Sequence, residues 1–225
     1  LAAAPAAVLL VVALLVPAGP LGAQAPRTER PDVAPVDTTG LGHGPNARMH
    51  MLLEKTLFQV DVLTLDVRLG SEETGRIERL RSGDRLSGEP LRDAVATVAL
   101  EARDAWARIE FERDVSLDQF LDGVRDNLRK ATQAGVIEPR AFRSISGDLP
   151  RWYAFLEERG IHDGDRMYYR IRGDSLHTVY VAVDGETLLD QVDVGPERRL
   201  SVLGGYFAPG SDFREKLVGS LLSGA

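Results

Sequence analysis

Cysteine is absent from the 225 residues. That excludes disulfides, thiolate zinc sites, cysteine nucleophiles and the lipid-carrying cysteine of a lipoprotein. Histidine is scarce, with 4 in the chain, at positions 43, 50, 162 and 177. No two of them stand four apart on one helix, the spacing that presents a zinc pair, so no metal site is expected. No Gly-x-Ser-x-Gly elbow occurs, and no histidine can be given the partners of a hydrolase triad. Positive charge is also short. The 27 Lys+Arg stand against 34 Asp+Glu, a net charge of −7 that repels phosphate backbones and argues against nucleic-acid binding. The remaining balance, 44% hydrophobic and 27% charged, is that of a folded chain with room for one well-filled core.

Residues 1–25 carry no charge at all, and 7–16 form an unbroken apolar run. The run is shorter than the about 20 residues that span a bilayer. Pro17, Gly19 and Pro20 follow it, then Ala23-Gln24-Ala25. This is the pattern of a secretory signal peptide with a small-residue cleavage site, cut after Ala25 or after Ala23. Export to the periplasm or the exterior is therefore expected, with membrane contact only if the segment stays as an uncleaved anchor. Residues 26–47 are rich in Pro, Gly and Thr without a hydrophobic period, and read as a linker. The cluster Gly40-Leu41-Gly42-His43-Gly44 lacks the preceding strand and following helix of a phosphate loop. The folded domain is expected over 48–225.

Within that domain, Val60 and Val62 alternate on one register and Leu63, Leu65, Val67 and Leu69 on the next. Such a switch of face predicts one bulged strand or two short ones over 50–69. A short helix is expected from Ser71, with Glu72 and Glu73 at its positive end, and a second over 91–102 entered through Pro90. Ala107, Ile109 and Phe111 alternate with charged residues as a half-buried strand. Ser116-Leu117-Asp118-Gln119 is a capping box, and Leu117, Phe120, Leu121, Val124, Leu128 and Ala131 follow at helical period up to Gly135. A further helix is expected over 150–159, with Trp152, Phe155 and Leu156 inward. Three strands over 166–172, 176–183 and 186–193 come next, turning at Gly173-Asp174 and Asp184-Gly185. Helices over 196–203 and from Ser211, with Phe213, Leu217 and Leu221 inward, close the chain. This order predicts an α+β protein, an antiparallel sheet carrying helices on one side.

Three tempting motifs have plainer readings. His162-Asp163-Gly164-Asp165 lacks the following Glu of a cation loop and is read as a solvated turn. Arg172-Gly173-Asp174 is a hairpin tip. The basic run Arg76, Arg79, Arg81 and Arg85 is broken by Glu78 and Asp84, as on a solvated helix face.

The stretch Phe111-Glu112-Arg113-Asp114-Val115-Ser116, leading through Gln119-Phe120-Leu121 to Asn127, resembles the strand–helix passage of chalcone isomerases and chalcone-isomerase-like proteins. Phe58 to Val62 and Asp66 to Leu69 are similar to the family's paired early strands. Leu203-Gly204-Gly205 and Ser211 to Arg214 are similar to its closing helices. The similarity spans about residues 48–222. It implies a large curved antiparallel β-sheet backed by a layer of α-helices, an open-faced sandwich with an apolar cleft between the layers. Catalytic members cyclise a chalcone to a flavanone, which asks the cleft to hold a near-attack shape and stabilise charge on a ketone oxygen.

The resemblance also places the family's site residues on this chain. The helix Asn is Asn127, but the helix Tyr falls on Phe120. The strand Thr falls on Leu63, with Thr64 one place away and facing the other side, and the Arg falls on Met51, with Arg48 and Lys55 out of register. The late Thr or Ser falls on Val202, beside Ser201. One match in five implies no catalytic residues and no cofactor. Another branch of the family binds fatty acids through the same Arg and Tyr, which are both replaced here. The reading is therefore an exported, non-catalytic domain binding a small apolar ligand or acyl chain. Its cleft candidates are Met51, Leu63, Thr64, Phe120, Asn127, Ser201 and Val202. Asn127 either orients the ligand or bonds nearby backbone, with Phe120 as ordinary core. Two alternatives stand beside this reading. One is an isomerase with a site rearranged around Asn127, Thr64, Lys55 and Ser201; the other is a structural or partner-binding module whose cleft is filled by side chains. The sequence sets no oligomeric state.

Overall fold

The computed structural model describes residues 46–55, 60–83 and 85–223. The expected signal segment and the linker up to residue 45 lie outside the described residues. Two strands, β1 (Arg48–Lys55) and β2 (Val60–Leu69), occupy the stretch where the hydrophobic register switches, and the irregularity between Leu53 and Glu54 is a bulge in their pairing. Helices α1 (Ser71–Ser82) and α2 (Gly88–Leu100) precede β3 (Asp104–Phe111). Then come α3 (Leu117–Gln133) and α4 (Pro139–Trp152), and a single 3-10 turn over Ala154–Leu156. The hairpins of β4 (Arg166–Arg172), β5 (Ser175–Val181) and β6 (Thr187–Val194) follow, and α5 (Pro196–Phe207) and α6 (Arg214–Ser223) end the described chain.

The six strands form one antiparallel sheet in the order β1-β2-β3-β4-β5-β6, a meander interrupted by helices. Strand periodicity sorts the side chains. Met49, Met51 and Leu53, then Leu63, Leu65 and Val67, then Ala107, Ile109 and Phe111 enter one core together with the helices. The opposite face carries charged residues and a small separate cluster of Trp106, Tyr168 and Val179, with the Arg68 guanidinium 5.0 Å from the Trp106 ring centre. This is the α+β layering that the sequence predicts: an antiparallel sheet with helices on one side. The outer edge of β1 is covered, because the His50 N–H donates to Ser220 Oγ at 2.9 Å and Lys216 Nζ donates to the Leu52 carbonyl at 3.0 Å, both from α6.

Two local expectations are corrected. The helix expected over 150–159 lies earlier, at 139–152. Its apolar positions Phe142, Ile145, Leu149 and Trp152 keep helical spacing straight through Pro150, which sits in the last turn rather than opening a new helix. The motif at 162–165 is a turn before β4 with Asp163 exposed, as expected, but Asp165 is not solvated. The Asp165 side chain is 0% exposed. It accepts two hydrogen bonds from Arg159, at 2.5 and 2.8 Å. Three more come from the His162 and Val183 N–H groups and the Tyr180 hydroxyl, all at 2.8 Å. Burial alone pushes this carboxyl up, but the Arg159 guanidinium and the other donors outweigh it and hold Asp165 below its ordinary 3.8.

A carboxyl whose folded pKa is depressed contributes stability above its unfolded pKa and loses it as the pH falls through the folded value. We expect Asp165→Asn to cost about 3 kcal/mol at neutral pH, by leaving the Arg159 charge without its anion. In urea unfolding, the gap between wild type and variant should narrow steadily as the pH is lowered below 4. A gap independent of pH there would contradict the assignment.

Candidate functional site

The roof of the site begins with α3. Its capping box forms as the sequence predicts: Ser116 Oγ accepts from the Gln119 N–H at 3.2 Å, and Gln119 Oε1 accepts from the Ser116 N–H at 3.4 Å. Leu121, Leu128 and Ala131 are buried beneath it. Helix α5 packs closely on α3 because Gly204 has no side chain. A Cβ there would stand 3.2 Å from Val136 Cγ1 and 3.4 Å from Ala131 Cβ. Asn127 fastens the other side of the roof. Its Nδ2 donates to the Gly123 carbonyl at 3.2 Å, and its Oδ1 accepts from the Asp212 N–H at 3.4 Å.

Between this roof and the sheet lies a cavity of ≈ 770 Å³, within the usual range for small-molecule sites. Its wall toward β1–β3 is apolar: Leu53, Val62, Leu63, Ile109 and Phe111 from the strands, and Phe120 and Val124 from α3. Phe120 stands edge-on to Phe111, with ring centres 5.9 Å apart, and to Tyr153 at 5.1 Å. The wall toward β4–β6 is different. Register places Tyr169, Thr178 and Gln191 side by side on adjacent strands, a polar row across the cavity floor. Tyr153, at the end of α4, and Tyr206, on α5, face the same space.

The three phenols form a buried group. Tyr153 Oη and Tyr169 Oη are 3.4 Å apart, and Tyr169 Oη reaches Met167 Sδ at 3.1 Å. Burial raises all three pKa values. Repulsion from neighbouring phenols adds to it at Tyr169 and Tyr206, while the hydrogen bond from Tyr169 offsets part of it at Tyr153. All three are neutral donors at physiological pH. The charged residues bordering the cavity are mostly engaged: Arg125 with Asp122, Arg129 with Asp126, Asp212 with Lys130, and Asp193 with the Gln191 amide. Arg113 and Arg198 also border the cavity, and neither has a carboxylate partner among the described residues. Arg198 lies 4.1 Å from the centre of the Trp152 ring.

Of the residues singled out in the sequence, Leu63, Phe120, Asn127, Ser201 and Val202 border the cavity, whereas Met51 and Thr64 do not. Thr64 alternates onto the opposite face of β2, opposite Leu52 and Glu110. Met51 shares the inner face but pairs with Leu65 and is buried in solid core. Asn127 is no free orienting group, since both ends of its amide are engaged in the roof. Ser201 Oγ donates to the Arg198 carbonyl at 2.7 Å. The set Asn127, Thr64, Lys55 and Ser201 is not assembled, because Thr64 faces away; the Lys55 side chain lies outside the described residues. The open cavity also overturns the alternative in which the cleft is filled by side chains.

Sequence reasoning missed Tyr153, Tyr169, Tyr206, Thr178 and Gln191. The available signal was Tyr169, Thr178 and Gln191 recurring on the inward phase of three strands whose other inward residues are mostly apolar.

No protein-family model matches this chain, and no curated protein matches it in sequence. Among solved structures, a fatty-acid binding protein of Arabidopsis thaliana aligns with a TM-score of 0.47 and 12% identity, over 79% of this chain and 86% of that one.

All 5 tyrosines of the chain are buried, and four have raised pKa values. A raised acid pKa contributes stability that is fully present below the unfolded value, about 10, and lost as the pH climbs past it. In an alkaline titration, phenolate absorbance should therefore appear late and together with loss of the far-ultraviolet circular dichroism signal. Reversible phenolate formation near pH 10 in the folded protein would show the tyrosine group to be open to solvent.

Proposed function

We propose that this protein binds, without transforming, one small and largely apolar molecule of about acyl-chain size, in the cavity between its sheet and its helices. The observation that carries the reading is the cavity itself: an unfilled volume of ≈ 770 Å³ in a protein class whose interiors are otherwise close-packed. Apolar side chains on its β1–β3 side favour a hydrocarbon or aromatic body. Hydroxyls on its β4–β6 side, and the guanidinium groups of Arg113 and Arg198 at its border, which have no carboxylate partner among the described residues, favour one oxygen-bearing or acidic end.

Kinship with the chalcone-isomerase-like proteins is part of the proposal, supported by the order of strands and helices and by the resemblance at 111–127. Export belongs to it as well, supported by the uncharged apolar segment at 1–25. A carrier of lipid-like molecules outside the cytoplasm unites these features. The non-catalytic character is supported by the apolar residues Met51, Leu63, Phe120 and Val202 at the positions matched to the isomerase site.

Gly205 gives a direct test. It borders the cavity from α5, and a Cβ placed on it meets no atom within 4 Å. A Phe at that position is accommodated by the empty space and fills part of it. We expect wild type, mixed with a panel of fatty acids and apolar dyes, to retain one molecule per chain in native mass spectrometry. Gly205→Phe should weaken that uptake about tenfold or more while keeping its thermal midpoint. Wild type that takes up nothing from the panel would sink the reading.

A further inference from the structure

Two hydroxyls that border the cavity have no hydrogen-bond partner among the described residues. Thr178 on β5 and Tyr206 on α5 are each only 8% exposed. Both border the cavity from opposite walls, floor and roof. Neither the Thr178 nor the Tyr206 hydroxyl makes a hydrogen bond to any described residue, whereas the nearby Tyr153 and Tyr169 hydroxyls engage one another and Met167. Both hydroxyls are therefore turned toward the cavity space rather than toward the protein, and polar groups so placed are the ones that hold and orient a bound molecule.

The surroundings define what would satisfy them. The floor row through Ala107, Tyr169, Thr178 and Gln191 contains no Lys, Arg or His. A carboxylate or phosphate seated there would lose its hydration without gaining a counter-charge. Asp193, further along β6, holds the Gln191 amide N–H group at 3.0 Å and presents negative charge to the same end of the cavity. A cationic head would likewise lose its hydration against Thr178 and Tyr206, whose hydroxyls carry no charge. What fits is an uncharged oxygen: a carbonyl accepts from both hydroxyls, and an alcohol accepts from one and donates to the other.

We infer that the ligand of this cavity is an oxygenated apolar molecule, carrying a neutral hydroxyl or ketone oxygen that the Tyr206 and Thr178 hydroxyls hold. This rests on the proposed binding function and names its ligand class more closely. An unsubstituted hydrocarbon chain enters the same volume but leaves both hydroxyls bare, so the protein discriminates for the oxygen. One well-placed neutral hydrogen bond or two amounts to about a tenfold preference.

The test compares octadecanoic acid with its monohydroxy and monoketo derivatives, the oxygen set at successive carbons, by displacement of a fluorescent apolar dye from the full chain. We expect at least one derivative to bind about tenfold tighter than the parent acid. That preference should fall below about threefold in both Tyr206→Phe and Thr178→Val, which delete the hydroxyl and keep the shape. The ligand-free variants report independently. Because the hydroxyls have no partner among the described residues, their removal should leave the thermal midpoint unchanged or raise it; a fall of several degrees overturns the inference by showing an internal partner. Derivatives that bind no better than the parent overturn it while leaving the binding function intact. A preference that survives in both variants overturns the assignment to these residues. Failure of dye, parent acid and derivatives alike to bind wild type sinks the binding function, and the inference with it.

Discussion

One buried carboxylate, Asp165, aligns the strands on which the cavity floor depends. It collects Arg159 and the His162 N–H from the turn before β4, the Tyr180 hydroxyl from β5, and the Val183 N–H from the connection to β6. These ties fix where β4 starts relative to β5, and so bring Tyr169 opposite Thr178 and Thr178 opposite Gln191. The constraint is severe because strand side chains alternate. A slip of one residue would send Tyr169 and Thr178 to the outer face and bring Tyr168 and Val179 inward. Hydrophobicity alone distinguishes these alternatives poorly, since both faces of β4 and β5 hold large buried side chains. A charge that has only one fully satisfied position decides the register instead.

The hollow above that floor follows from how the roof is held. Helices α3 and α5 touch each other at Gly204, α3 is tied to the α5–α6 connection through Asn127, and α6 is hung on the edge of β1. The helices are thus positioned by one another and by the sheet edge as well as by the core they share with the sheet. Where the roof faces the cavity it carries Gly123, Gly205 and Ser201 beside its larger residues. A Cβ on either of those glycines would meet nothing within 4 Å. Space that side chains would fill elsewhere in a close-packed interior stays open here.

Much of this was written in the local sequence. The capping box at Ser116, the strand alternation at 107–111 and the Asp184-Gly185 turn are short-range features, and their elements form where they point. Helix α4 escaped because Pro150 was read as a start, although the spacing of Ile145, Leu149 and Trp152 overrode it. The role of Asp165 escaped because an Asp after Gly in a turn is usually solvated. Its five donors come from positions 159 to 183 and meet only in the fold. The cavity residues divide in the same way. Those on β2 and α3 were reachable through resemblance to a known family, whereas Thr178 and Tyr206 belong to elements brought together only by tertiary packing, and no spacing in the chain links them.

That division has a chemical meaning. The β1–β3 side of the cavity is apolar, with Leu53, Val62, Leu63, Ile109 and Phe111, while its hydroxyls sit on β4, β5, the end of α4 and α5. Polarity is gathered on one side of the cavity. Phe120 meets that side at closest range, its ring against the edge of Tyr153 at 5.1 Å. The chemistry of these groups limits what they can do. Phenols whose pKa values are raised by burial do not accept protons at neutral pH, and a general base works best with a pKa near the working pH. The carboxylates that border the cavity are engaged, Asp122, Asp126 and Asp212 with cations and Asp193 with Gln191. Neutral hydroxyls that donate and hold suit the recognition of an oxygen atom.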